Sequence, residues 1–378
     1  MDFNYQKKNK YFDSLISNKN LMWMGQNTNH IPSHEAVKES LIKSIHDEEY
    51  HVYAPPLGLE ELRELVLVHL NLKQNDCFIT DGAVSALSNV CNSLIGEDDE
   101  FLTTDPTWIW PTLFTKQSGG FVTQIPIYDH HSNFKVKASD IENHITPKTK
   151  ILYLVDPNNP LGTTIDESEV EAIAKIAKSN NIYILHDCTY RDFAYNHTFF
   201  NHYYPEGTIT IWSFSKWLGI AGLRVGALLS TPHLIEKLSK CPPNILGSNI
   251  ISQRGAIAGL KHFAKWFPEV NSIQRNNQRI IYESIQNVDE LSMPIFPSDS
   301  NFVIVEMKSS KISPESLTKS FLEKNIMIRQ GSYHSEKFGH KFVKISLTVP
   351  MDWAESFAHF LPDRITAAKN FNNDTDLF

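Results

Sequence analysis

The chain has 378 residues, 41% hydrophobic and 21% charged, with a formal net charge of −8. That length accommodates a large domain plus a smaller one. The acidic balance, with no compensating Lys/Arg block, argues against a nucleic-acid or anionic-membrane partner, and no apolar run reaches the roughly 18 residues a membrane span needs. The N-terminus, Met1 to Gln6, is polar and lacks a secretory apolar core. Cys77, Cys91, Cys188 and Cys241 are scattered without a Cys-x-x-Cys pair, so neither disulfides nor a zinc ribbon is expected and a cytoplasmic location is the default. Among the 16 histidines, His130-His131 and the pair His197 and His202 read as surface residues, and no metal is expected.

In chain order, residues 1–30 read as an arm whose lysines, Lys7, Lys8 and Lys10, form a solvated segment. The arm ends in a polar turn, Gly25 to Asn29, able to close over a site. A helix follows from about Ser33, with Val37, Leu41, Ile42 and Ile45 at helical spacing. Tyr53-Ala54-Pro55-Pro56-Leu57-Gly58 is a rigid turn before a helix that starts near Glu60. From about residue 77, short apolar strands alternate with amphipathic helices, the pattern of a largely parallel sheet wrapped by helices. Phe78 to Thr80 and Phe101 to Thr103 read as strands, and Ala86, Leu87, Val90 and Leu94 as the buried face of the helix between them. Ile151 to Val155 and Ile182 to Leu185 are strands around a helix at 167–178. Ile209 to Trp212 is a buried strand, and Gly226 to Ser230 another, antiparallel because the connection is short. Residues 248–286 are helical with an interruption at Pro268. Phe302 to Glu306, Pro314 to Leu322, Phe342 to Leu347 and Asp352 to Phe360 then alternate strand and helix before a polar tail, 363–378. The expected architecture is α/β: an arm and helix (1–45), a three-layer large domain with a mostly parallel sheet (46–286) and a smaller α+β domain (287–378).

The strand at 209–212 runs into Ser213-Phe214-Ser215-Lys216-Trp217-Leu218-Gly219-Ile220-Ala221-Gly222-Leu223-Arg224. Strand ends in open α/β sheets are where ligands sit. A lysine amine there, flanked by two hydroxyls and followed by an arginine suited to a phosphate, meets the requirements of a pyridoxal 5'-phosphate (PLP) site, with Lys216 as the Schiff-base lysine and Ser213, Ser215 and Arg224 holding the phosphate. Further motifs accompany it: Gly82-Ala83-Val84 after a strand, Pro106-Thr107-Trp108, Asn158-Asn159-Pro160-Leu161-Gly162, and Asp187-Cys188-Thr189-Tyr190.

In the order and approximate spacing of these motifs, from about Gly25 to Ala358, the chain resembles the fold-type I, PLP-dependent aminotransferases of class I/II. It is closer to the histidinol-phosphate aminotransferase-like branch than to the aspartate-specific one. The resemblance implies a role for each motif. Asp187 pairs with the pyridine nitrogen and keeps it protonated; Tyr190 and Asn159 donate to the phenolic oxygen. Trp108 stacks on the ring, with Trp110 as its rival, and the amides of Gly82, Ala83 and Val84 bind the phosphate. Tyr53 would reach the phosphate of a neighbouring subunit, making a homodimer with composite sites. Substrates would be an amino acid and a 2-oxo acid. The family's carboxylate-binding arginine is replaced: the strand reads Phe342-Val343-Lys344-Ile345-Ser346-Leu347, and by alternation Lys344 points away from the domain core, where that arginine would. Either Lys344 binds the carboxylate as a point charge or Arg329 does; in the branch resembled, a second arginine at that place can serve the distal group. Asn27 and Asn159 are further candidates for substrate contact, and the aromatic loop Phe199 to Tyr204 for specificity. The Lys344 departure leaves two alternatives to transamination: decarboxylation, elimination or cyclisation on the same cofactor, and a non-catalytic PLP-binding protein.

Overall fold

The computed structural model describes residues 5–240, 242, 244–309 and 311–371. Cys241, the end of the expected tail (372–378) and the first four residues of the arm lie outside the described residues. The strands are β1 (Met22–Trp23), β2 (Asp76–Thr80), β3 (Glu100–Asp105), β4 (Phe121–Pro126), β5 (Thr149–Val155), β6 (Tyr183–Asp187), β7 (Thr208–Ser213), β8 (Gly226–Ser230), β9 (Leu291–Ser292), β10 (Phe302–Met307), β11 (Ile326–Met327), β12 (Arg329–Gln330) and β13 (Phe342–Ser346).

One sheet has the order β2-β8-β7-β6-β5-β3-β4. Its pairings are parallel except those of β8, which is antiparallel to both β7 and β2. Helices lie on both faces, so the central strands are buried throughout and read as continuous apolar runs. The helix Ala83–Leu94 buries Ala86, Leu87, Val90 and Leu94 against Phe78, Phe101 and Ile211. On the other face Glu167–Ser179 buries Val170, Ile173, Ala174 and Ala177 against Leu152 and Ile184. Because β3, β5, β6 and β7 run the same way, Asp105, Val155, Asp187 and Ser213 all end at one edge of the sheet.

The smaller sheet, β12-β13-β10-β9, is antiparallel. Val343, Ile345 and Leu347 pack with Phe321 of the helix Pro314–Leu322 and Phe357 of the helix Met351–Ala368. The opposite face carries Ile304 and Phe342 into the core of the large sheet, and Lys344 pairs across from Ile304 on that face. The helix Ile250–Gln286 joins the two parts: its first half packs on Trp212 and Trp217, its end on Leu291 and Val305.

Four expectations need correction. The interruption at Pro268 does not occur, and the helix runs 37 residues through it. The lost donor and ring clash cost about 3 kcal/mol, but Trp266, Phe267 and Val270 are buried around the proline, and each such side chain contributes about 1.5–3 kcal/mol. The helix expected from Ser33 is Glu35–His46, capped by His34, whose Nδ1 accepts from the Ala36 amide at 3.2 Å; Ile42 and Ile45 are exposed. Residues 363–368 continue the last helix rather than forming tail, because Ile365 and Ala368 bury in the small-sheet core. The basic arm is helical over Tyr5–Ser17, with Leu15 buried against Leu21 and Met327.

Candidate active site

A cavity of about 240 Å³ opens at the strand edge between the two sheets. Its floor is built by β6 and the turn after it. Asp187 is buried, its Oδ1 accepting from the Thr189 amide at 3.1 Å and the Thr189 hydroxyl at 2.6 Å, its Oδ2 from the Tyr153 hydroxyl at 3.1 Å. Burial pushes the carboxyl above the usual range, and these donors oppose the shift without cancelling it. Tyr190 receives two amides on its hydroxyl, Asn27 Nδ2 at 3.0 Å and Asn159 Nδ2 at 3.2 Å.

Lys216 stands on the single helical turn Phe214–Trp217 directly after β7. The amine expected to be exposed is half-buried, and its Nζ donates to the Gln26 carbonyl at 3.2 Å. Burial, then the nearby Arg224, lowers its pKa to about 8, with Asp187 opposing. Ser213 Oγ accepts from the Ser215 amide at 3.2 Å. Arg224 has a left-handed backbone, and its guanidinium donates to the carbonyls of Ala221 and Asp81 at 2.8 and 3.3 Å. It lies so close to Gly82 (φ +87°) that a Cβ there would come 2.5 Å from Nη2. The first amides of the helix Ala83–Leu94, which no intrahelical carbonyl can satisfy, begin beside this guanidinium.

Lys344 and Arg329 form the opposite wall. They are direct partners across the antiparallel β12-β13 pair and both are buried. Lys344 Nζ donates to Asn159 Oδ1 at 3.1 Å. Its pKa lies well below that of an ordinary lysine, through burial, then Arg329, then Lys216; Arg329 is lowered by burial.

The cavity thus gathers Asn27, Ala83, Val84, Trp108, Asn159, Asp187, Tyr190, Ser213, Ser215, Lys216, Arg224, Arg329 and Lys344, and Gly82 abuts it. Trp108 lines it and Trp110 does not. Tyr53 is 78% exposed and lies outside it. The aromatic loop is also outside: Phe199, Phe200 and Tyr204 are consumed by two cores on the sheet face opposite the helix Ala83–Leu94. Three contributors escape sequence reasoning. Tyr153 sits mid-strand and looks like any buried β residue. Phe12 reaches the cavity from the N-terminal helix, and Tyr333 from a turn after β12, its ring 4.7 Å from the Arg329 guanidinium carbon. No local motif marks either one.

The family model described as aminotransferase class I and II matches residues 19–361. The chain belongs to this family. A histidinol-phosphate aminotransferase of Methanosphaera stadtmanae is 27% identical over 317 residues, 83% of each chain. An aspartate aminotransferase of Pyrococcus horikoshii is 26% identical over 326 residues, 82% of each. In structure, the aspartate aminotransferase from Thermus thermophilus with maleate gives a TM-score of 0.81 at 19% identity, covering 94% of this chain and 95% of the other. The N-succinyldiaminopimelate aminotransferase from Mycobacterium tuberculosis gives 0.84 at 17%, covering 94% and 96%. The fold is therefore fold type I, and the protein is a PLP-dependent aminotransferase acting on an amino acid and a 2-oxo acid. Family membership favours neither a non-transaminating reaction nor a non-catalytic binding role.

Proposed function

We propose that this aminotransferase takes amino donors with two anionic groups, one held by Lys344 and the other by Arg329. The observation that carries this reading is the cross-strand register of those two residues: like charges directly opposite one another are destabilising, and here both are buried on the cavity wall facing Lys216. An anion between them relieves the repulsion. Lys344, already donating to Asn159, is the nearer to the floor and takes the α-carboxylate as a point charge. Arg329, its guanidinium over the Tyr333 ring, presents a planar fork to the distal carboxylate or phosphate.

The donor set fits PLP. Asp187 would hold the ring nitrogen protonated, Tyr190 and Asn159 would donate to the phenolic oxygen, and Trp108 would cover the ring. Ser213, Ser215, Arg224 and the first amides of the helix after Gly82 would hold the phosphate. When bound, PLP supplies an aldehyde that captures the amine and a ring that accepts the electrons of the Cα–H bond. Lys216, whose pKa is lowered to about 8, would take and hold the proton from the substrate Cα, while Lys344 and Arg329 would orient the donor. Burial raises the Tyr190 pKa, with the Asn27 hydrogen bond opposing, so the hydroxyl keeps its proton and would act as donor.

The active unit in this reading is a cytoplasmic homodimer, with 46–286 as the cofactor domain and 287–378 closing on it. Tyr53 would reach the partner's phosphate site. Supporting this, exposed Tyr53 lines one surface hollow with exposed Tyr50, Val52 and Leu246. Sedimentation of the purified protein should give twice the chain mass. For the donor, single-turnover conversion of the PLP-loaded enzyme is followed by absorbance across neutral, dicarboxylic and phosphorylated amines without a 2-oxo acid. Dicarboxylic or phosphorylated donors should react fastest, and Arg329→Leu should remove that preference while sparing neutral donors. Equal rates for neutral and doubly anionic donors would overturn the reading.

A further inference from the structure

Along β6 the side chains alternate, so Asp187 faces the cofactor cavity while its neighbours His186 and Cys188 turn away from it. On that far side they meet Asp156, which follows β5, and His197, from the segment between the helical turns Arg191–Phe193 and Phe200–His202. His186, Cys188 and Asp156 are each 0% exposed, and the His197 side chain 2%. Asp156 Oδ2 lies 3.5 Å from Nε2 of both histidines. His186, Cys188 and His197 bring ligand atoms within 4.8 Å of one another, and the two imidazoles are parallel within 8° at a centroid separation of 5.3 Å.

The hydrogen bonding of this cluster is incomplete. His197 Nε2 reaches the Asp156 carbonyl at 3.2 Å and Asp156 Oδ1 accepts from the Ile165 amide at 3.0 Å. His186 Nδ1 and Nε2, His197 Nδ1 and Asp156 Oδ2 have no hydrogen-bond partner among the described residues, although all are buried. His186 Nε2 and Asp156 Oδ2 meet only at 3.5 Å, and a buried polar atom left unpaired costs about 1–3 kcal/mol, so an occupant reaching these atoms would relieve that cost. The spacing indicates its size: for bonds of about 2.0–2.1 Å to a tetrahedral ion, the edge between two ligand atoms is roughly 3.4 Å.

We propose that Asp156, His186, Cys188 and His197 form a buried site for a divalent transition-metal ion of the zinc class, behind Asp187 and separate from the cofactor cavity. Two imidazoles, one carboxylate and one thiolate are a donor set that zinc accepts. The charges balance, since a dication is neutralised by Asp156 and Cys188 with both histidines neutral, and a neutral assembly is what a site without solvent tolerates. Burial and neighbouring positive charge already hold His197 well below its ordinary pKa, which keeps it neutral. Burial pushes Asp156 and Cys188 up; metal binding reverses that shift and releases their protons. The ion would tie the residues on either side of Asp187 to the end of β5, and so fix the carboxylate from behind.

The test is metal analysis of the purified protein by inductively coupled plasma mass spectrometry, with and without dialysis against zinc, followed by cobalt(II) exchange. About one equivalent of zinc per chain is expected. Cobalt should produce the ligand-field bands of a tetrahedral site, far to the red of the cofactor's absorption, with a thiolate charge-transfer band that Cys188→Ala removes. His197→Ala should lose the metal; if that variant does not fold, Asp156→Asn, which keeps the side-chain size, should bind at least roughly tenfold more weakly. A wild-type protein that neither carries zinc nor takes up cobalt overturns the proposal, showing that protons alone satisfy the cluster. So does full retention of metal with an unchanged cobalt spectrum in Cys188→Ala and Asp156→Asn.

Discussion

The large sheet and the small sheet bring opposite kinds of surface to one cleft. At the ends of β5, β6 and β7 the polar groups are matched among themselves: Asp187 has Thr189 and Tyr153, and Tyr190 has Asn27 and Asn159. On the small-sheet side, β12 and β13 set Arg329 and Lys344 opposite each other, each an unfavourable neighbour for the other. A matched floor is rigid and holds its shape whatever amine arrives. A wall with two cationic side chains in register favours an anion, and in the proposed reading discrimination between donors belongs there. In the proposed reading, cofactor binding falls to the large sheet and substrate choice to the small one.

Substitutions on the two sides should separate these roles. If Lys216 carries the proton as proposed, Lys216→Ala should lower kcat/KM by more than roughly 10⁴-fold with dicarboxylic and neutral donors alike; residual turnover within tenfold of wild type would show that another group moves the proton. Asp187→Asn keeps the shape of the floor and withdraws the charge, so kcat should fall on the order of 10²–10³-fold with little change in KM. On the other wall, Lys344→Ala should raise KM for the amino acid roughly 10–100-fold, the equivalent of about 1.5–3 kcal/mol for a charged hydrogen bond, and change kcat less. A fall in kcat alone would move Lys344 from binding to chemistry.

The amine of Lys216 titrates at about 8 against an ordinary 10.5. The rate at which the apoprotein takes up PLP, measured by absorbance, should therefore rise roughly tenfold per pH unit below that value and level off above it. The sign for stability follows: a depressed lysine pKa penalises the folded state while the amine is charged, and the penalty lessens as pH rises from about 8 toward 10.5. A rate still climbing near pH 10 would mean that the amine is not desolvated. The smallest effect belongs to the two tryptophans. Trp108→Ala should weaken PLP binding roughly 2–10-fold, as expected for losing one stacking contact, and Trp110→Ala should leave it unchanged.

What could be read without coordinates is local in character. A strand that ends in Ser213 to Lys216, a helix that follows Gly82, and the turn at Asn158 to Gly162 each carry their meaning within a few residues, because apolar period and turn chemistry are short-range properties. The antiparallel β8 was legible for the same reason, its connection to β7 being short. The far pairings were not. Phe12, Tyr333 and the opposition of Arg329 to Lys344 depend on which strand lies beside which, over separations that no window of sequence spans. His197 looked like a surface residue until the fold set it beside Asp156 and His186. Pro268 reads as a break by backbone chemistry alone, and the helix continues because Trp266 and Phe267 are buried in the core of the large sheet. Secondary structure and the cofactor motifs follow from the chain's local covalent pattern; burial, charge pairing and the shape of the cleft follow from packing between distant segments, which supplies the free energy that decides among local alternatives.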